Sequence, residues 1–184
     1  MDKEINITQK TKNYEGAKGY WLNQFDEEAP ILDFPADYPR PQEKSYEGGR
    51  FSVLFVDDIC KNIHSIVERT GTTDYMVFLA ALMVTLSKYS RQEDIVVGSP
   101  VSVKTDSGIF VNTLAMRGKP CKDKTFMEFL MEIKAICLKA YENQEYPFEM
   151  LVEDIDVRHD MSRNPLFDVM LTVQNNENAD IELD

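Results

Sequence analysis

Cysteine, histidine and cationic residues are all scarce in this chain, and no apolar stretch is long. The three cysteines, Cys60, Cys121 and Cys137, make no CxxC pair and are odd in number. That argues against a disulfide framework and for a reducing compartment, so the expected location is cytoplasmic. Lys and Arg number 20 against 32 Asp and Glu, a net charge of −12. Such a chain offers no long phosphate-tracking surface unless its few cations gather on one face, so nucleic acid is not an expected partner. The most apolar run, YMVFLAALMVTL at 75–86, falls well short of the roughly 20 residues of a membrane helix, and no membrane contact is expected. The N-terminal MDKEINITQKTKNYEGAK contains acids and no apolar centre, so it reads as neither a secretory signal nor a transit peptide. There is no GxxxxGK(S/T) loop, no GxSxG elbow and no metal-ligand spacing, so no metal is expected.

What is present suffices for one folded unit: 43% of the residues are hydrophobic and 10% aromatic. Residues 1–12 are polar and aperiodic and read as a disordered arm. A helix is expected through YEGAKGYWLNQF. Pro30, Pro35, Pro39 and Pro41 then enforce an extended strap, pinned by Ile31, Leu32, Phe34 and Tyr38. RFSVLFV at 50–56 alternates like a strand. Ile59, Ile63, Ile66 and Val67 recur at helical spacing and stop at Gly71, a C-cap glycine.

TTDYMVFLAALMVTLSKYS predicts a helix packed all round, with Thr72 and Thr73 as caps. DIVVGSPV and GIFVNTLAMR predict two interior strands. Thr125 and Glu128 stand in capping-box spacing ahead of a stripe of Phe126, Phe129, Leu130, Ile133, Cys137 and Ala140. A short helix begins at Pro147, LFDVMLTVQN closes as a strand, and 176–184 is an acidic tail or linker. The fold class is α/β, helices packed on a mixed sheet.

Two histidines are available for chemistry. His64 sits at the edge of an apolar helical stripe and reads as a boundary residue. A general base would also need a cleft and an orienting partner. His159 has Asp160 and Ser162 nearby, but triad roles require convergence from different elements, and a structural cluster of Arg158, Asp160 and Arg163 is the plainer reading. The methionines fall on core patterns. Composition and spacing stop there.

Three segments together go further. SGIFVNTLAMR at 107–117, NQEYPFE at 143–149 and RHDMSRNPL at 158–166 resemble, in order, three late motifs of the condensation domains of non-ribosomal peptide synthetases. YWLNQF…LDFPADYPRP, TGTTDYMVFLAALMVTLSKYSRQEDIVVGSPV and FDVMLTVQN extend the resemblance over residues 20–175. Epimerisation relatives usually carry a tryptophan-containing motif where this chain has GIFVNTLAMR, so condensation is preferred. The resemblance implies a chloramphenicol-acetyltransferase-like fold of two similar subdomains around a tunnel. There a donor acyl or peptidyl thioester is joined to the amine of an acceptor aminoacyl thioester, both held on carrier-domain phosphopantetheine arms. The implied partners are peptidyl carrier domains, an adenylation domain and the other condensation subdomain, with no cofactor bound by the domain itself.

The chain departs from the family in three places. The HHxxxDG catalytic signature of the first subdomain is absent, so residues 13–175 read as a partial domain, largely the C-terminal subdomain, with no catalytic residue. Relatives continue for several elements after the last match. The loop at 102–107 is shorter than the acid-containing loop of relatives. By the resemblance, Gly108, Phe110, Asn112 and Thr113 line the tunnel. Asn112 is the first choice for a substrate-facing polar group, with a purely structural role as the equal alternative. Tyr146, Pro147, Phe148, Glu149, Arg158, Asp160, Ser162, Arg163, Asn164 and Pro165 are architectural.

The expected function is that of an inactive piece of a condensation domain. The alternative is a non-catalytic half-domain that binds carriers or a partner subunit, or associates with itself. An independent acyltransferase using His159 as base discards the motif match and ranks last.

Overall fold

Arg117, at the end of an apolar strand, holds the first helix to the sheet, and the arrangement is best followed outward from that contact. The computed structural model describes residues 2–45, 47–105, 108–155, 157 and 160–174, with the side chains of 2–12 and 105 left aside. The elements run α1 Asp2–Gln24, α2 Asp57–Thr70, α3 Asp74–Ser90, β1 Ile95–Thr105, β2 Gly108–Gly118, α4 Phe126–Glu142 and α5 Phe148–Asp154. The two expected strands, 94–101 and 108–117, form one antiparallel ladder from Ile95↔Gly118 to Thr105↔Gly108, with β1 running on through 102–105, expected as a loop, because those residues are met one for one by 108–111. The expected α/β layering is therefore present, as helices over a small sheet.

Helix α3 is the centre of the core. Met76, Val77, Leu79, Ala80, Met83 and Leu86 are buried, packing against α2, α4 and β1. It is not enclosed on all sides: Ala81, Thr85 and Tyr89, four residues apart, form a narrow solvent line. Helix α4 adds Phe129, Leu130, Ile133, Cys137 and Ala140, and its Thr125/Glu128 capping box forms in both directions. Gly71 closes α2 at φ 59°, a left-handed conformation that favours glycine. Helix α2 itself buries no residue fully.

Further expectations differ from the structure. Helix α1 begins at Asp2, not after residue 12. The residues before Asn13 contain no proline or glycine, and the helix propagates backward from the stripe Ala17, Trp21 and Phe25, all buried. Segment 50–56 belongs to no strand, and each of its residues is exposed. The closing strand shrinks to one parallel bridge, Gly98↔Met170, held by Gly98 N–H to Val169 O and Leu171 N–H to Gly98 O, both 2.9 Å. Helix α5 starts at Phe148 with Pro147 as its N-cap, because the extended backbone of Pro147 precedes the first helical residue. The acidic tail 176–184, Ser107, Arg158 and His159 lie outside the described residues.

Candidate functional site

Strand β2 changes character along its length. Its first four residues, Gly108 to Val111, are exposed, with Ile109 and Val111 at 67% and 73%, whereas Asn112 is 4% exposed. Gly108 has φ +133°, where glycine carries no Cβ penalty as the ladder begins. Phe110 stands half out of the surface opposite Val103. Thr113, half-buried, donates its backbone N–H to Asn112 Oδ1 at 2.8 Å.

The Asn112 amide is fully occupied by the protein's own backbone. Its Nδ2 donates to Gln144 O and Tyr146 O, each at 2.8 Å, and its Oδ1 also accepts from Phe148 N–H at 3.1 Å. An asparagine side chain has two donor hydrogens and one acceptor oxygen with two lone pairs, and all are engaged. Asn112 thus caps α5, whose own N-cap, Pro147, makes no side-chain cap bond. Its polar atoms face the 144–148 segment, the geometry of a structural bracket.

Tyr146 continues the same bracket. It is 1% exposed, its ring lies 5.3 Å from that of Tyr14, and its hydroxyl donates to Asp154. Asp154 also pairs with Lys18 at 2.8 Å, so this network ties α1 to α5. Lys18 first, and then the Tyr146 hydroxyl, hold the Asp154 carboxyl below the usual carboxylate range. Burial, reinforced by Asp154, pushes the Tyr146 phenol up. Glu149 is exposed on the first turn of α5.

The 160–168 loop acts elsewhere, as a clamp on the proline strap. Asp160 Oδ1 accepts from the N–H and hydroxyl of Ser162, at 2.8 and 2.7 Å, and these bonds lower its pKa. Arg163 reaches Leu32 O at 3.0 Å and pairs with Asp168. Asn164 Oδ1 accepts from Lys44 Nζ at 2.6 Å, Met161 O from Lys44 N–H at 3.0 Å and Ser162 O from Arg40 at 3.2 Å. Leu166 then turns with φ 68°, and Phe167 N–H bonds back to Pro165 O at 2.9 Å. This is a strained γ-turn, fixed by burial of Leu166 and Phe167. The Phe148 and Phe167 rings, 5.5 Å apart, connect the clamp with the Asn112 bracket.

Three contributors escaped sequence reasoning. Arg117 engages all five of its N–H groups: Nε and Nη2 reach Asp94 at 2.7 to 3.2 Å, while Nη1 and Nη2 reach Gln24 O, Glu27 O and Glu28 O. A lone arginine in a β-branched run was the available signal. Gly98 is required because a Cβ there would lie 2.4 Å from the Phe167 ring. Beside β1, a cleft of about 490 Å³ is lined by Thr72, Thr73, Tyr75, Ser99, Val101 and Tyr141, among others. The Tyr75 hydroxyl there is buried without a hydrogen bond of normal geometry. Ser99 nonetheless lies close enough to affect its titration, and burial, the larger effect, raises its pKa.

His64 is 71% exposed on α2, 3.4 Å from Glu68. Burial pushes the Cys137 thiol up to about 12, so it carries almost no thiolate at neutral pH.

Comparison with known proteins agrees with the motifs. The model of the Condensation domain family matches residues 3–183. Bacitracin synthase 3 of Bacillus licheniformis is 49% identical over 173 residues, covering 91% of this chain and 3% of the synthase. Tyrocidine synthase 3 of Brevibacillus parabrevis is 47% identical over 181 residues, covering 95% and 3%. The chain therefore spans only a few hundredths of the length of these relatives. Among solved structures, a holo four-domain nonribosomal peptide synthetase bound to AMP and glycine superposes with TM-score 0.79 at 22% identity, over 84% of this chain and 12% of that one. The X-domain from teicoplanin biosynthesis gives 0.76 at 22%, over 85% and 36%.

Proposed function

The chain belongs to the Condensation domain family, and on that premise we propose that it supplies one wall of a peptide-bond-forming domain in a non-ribosomal peptide synthetase. In the complete domain a donor acyl or peptidyl thioester meets the amine of an acceptor aminoacyl thioester, each on the phosphopantetheine arm of a carrier domain. The partners are those carriers, the adenylation domain and the other condensation subdomain, in the cytoplasm.

The observation that carries this reading is the joining of the motif segments: Asn112 brackets 144–148, and Phe148 meets Phe167 of the strap clamp. A cross-braced wall of this kind suits a reaction that depends on holding two tethered reactants in line, where positioning alone is worth about 7–11 kcal/mol in favourable cases. Gly108 and Phe110, exposed on β2, face the tunnel, while Asn112 and Thr113 set the strand's position behind them. The hydroxyls of Thr72, Ser99 and Tyr75 beside Val101 fit an arm that carries amides on an aliphatic stem.

In this reading the 184 residues alone do not condense, since they contain no HHxxxDG signature. The test incubates two loaded carrier domains with this chain, alone and with the complementary subdomain. Peptide is expected only from the completed domain, with Asn112→Ala lowering kcat there. Product from the isolated chain that disappears with His64→Ala or His159→Ala would sink the proposal.

A further inference from the structure

On a chain of net charge −12, one groove of about 510 Å³ is lined by Lys88, Arg91, Lys122 and Lys124 against a single acid, Glu93. It lies at the Ile95↔Gly118 end of the ladder, where the last turn of α3 meets the loop that leads into α4. All its lining residues fall between Val84 and Phe129, so its shape is set well inside the chain. Pro120 and Phe129, both buried, add apolar lining. Asp123 is exposed nearby but does not line it.

Of the four cations, Lys124 alone is occupied by the protein. Its Nζ reaches Glu132 at 2.7 Å and Lys119 O at 3.2 Å, and its N–H reaches Cys121 O at 3.3 Å, which folds the 119–124 loop on itself. Among the described residues, the side chains of Lys88, Arg91 and Lys122 make no ion pair or hydrogen bond, and Glu93 pairs with none of them. Arg91 carries a further mark. It ends α3 in the left-handed conformation, φ 59° and ψ 27°, a position that favours glycine, as Gly71 shows at the end of α2. Strain of this kind persists where something beyond local structure calls for the residue. Unpaired cations gathered without an acid between them repel one another, and an anion seated among them reverses that repulsion.

We propose that this groove binds an oligophosphate, with the Arg91 guanidinium and the Lys88 and Lys122 ammonium groups meeting its oxygens. An oligophosphate presents several charges and many acceptor oxygens, so it engages an arginine fork and two point charges at once. A lone carboxylate satisfies the fork and leaves the lysines unanswered. The inference does not depend on the reaction proposed above.

Calorimetric titration of the full chain at low ionic strength tests it, with inorganic pyrophosphate and ADP as separate probes and no added metal. One-site binding is expected, weakening as salt rises. Tighter binding of pyrophosphate identifies a free oligophosphate as the ligand, and tighter binding of ADP an ester-borne one. Lys88→Ala and Lys122→Ala should each weaken binding roughly 5- to 10-fold, the loss of one charged contact at a partly exposed site. Arg91→Gly should weaken it at least as much and yet raise the melting temperature of the free chain, because glycine relieves the left-handed strain. Lys104→Ala, which removes an exposed lysine at the other end of β1, should leave the affinity unchanged. No binding of either probe at millimolar concentration, binding indifferent to both Lys88→Ala and Arg91→Gly, or an equal loss with Lys104→Ala would each overturn the proposal.

Discussion

Replacing Arg117 with methionine keeps most of the aliphatic stem and removes the guanidinium. What is lost can be followed atom by atom. Asp94 loses a bidentate partner whose shortest contact is 2.7 Å. Gln24 O, Glu27 O and Glu28 O lose donors at 2.8, 3.3 and 3.3 Å. The charge leaves its place over the Phe25 ring, 5.4 Å from the centroid. The arginine side chain is 6% exposed and that of Asp94 27%, with Lys119 only 3.9 Å from the carboxylate. The stranded acid can therefore turn to water and to Lys119, which places the loss at the lower end for a broken buried pair, about 3 kcal/mol.

A loss of that size lowers the melting temperature of a chain this long by roughly 6–12 °C. Arg117→Lys should recover the charge but not the fork, and fall in between. Urea unfolding followed by circular dichroism and by Trp21 emission is the assay. Trp21 is the only tryptophan, 2% exposed, and bonded to Asn143 O at 2.9 Å. Lys119→Met, which removes an exposed pair, should change stability by less than about 1 kcal/mol. A loss below about 1 kcal/mol for Arg117→Met, with an unchanged urea slope, would refute the view that this residue holds α1 and the strap to the sheet.

Two further perturbations test the other contacts. Gly98→Ala drives a methyl into the Phe167 ring and should cost about 2 kcal/mol or more; Phe167→Leu in the same chain should restore part of it, and a strictly additive double mutant would refute the clash. Asp154 has a folded pKa below its unfolded value, so its contribution is complete above the unfolded carboxylate pKa and is lost as pH falls through the folded one. The gap in urea midpoint between Asp154→Asn and the parent should therefore be open at neutral pH and close under strong acid; a gap independent of pH would remove the Lys18–Asp154–Tyr146 network from the account.

The helices were legible because each carries its own evidence. The Thr125/Glu128 box, the Gly71 stop and the apolar periods of α3 and α4 are local signals, and local signals survive without knowledge of the partner. The two strands were legible too, since both are β-branched runs bounded by turn residues; that they pair with each other was not. The site was less so. Asn112 is one polar residue in an apolar strand, and the sequence alone left a substrate-facing role and a bracketing role equally open. Three of its four bonds go to backbone atoms 32 to 36 residues away, and nothing in the pattern of 144–148 says that it meets Asn112. Arg117 and Gly98 have the same difficulty: each is explained by groups that only the tertiary fold delivers.

Segments 50–56 and 95–103 make the limit sharper, because both are β-branched or aromatic runs that pattern alone assigns to strands. Only the second has a strand in place, its ladder met residue for residue by 110–118. A strand is defined by hydrogen bonds between segments, so an apolar alternating run records a demand for a partner and not its presence. The segment at 166–174 is intermediate: Gly98, with no Cβ, lets Phe167 close enough for one parallel bridge.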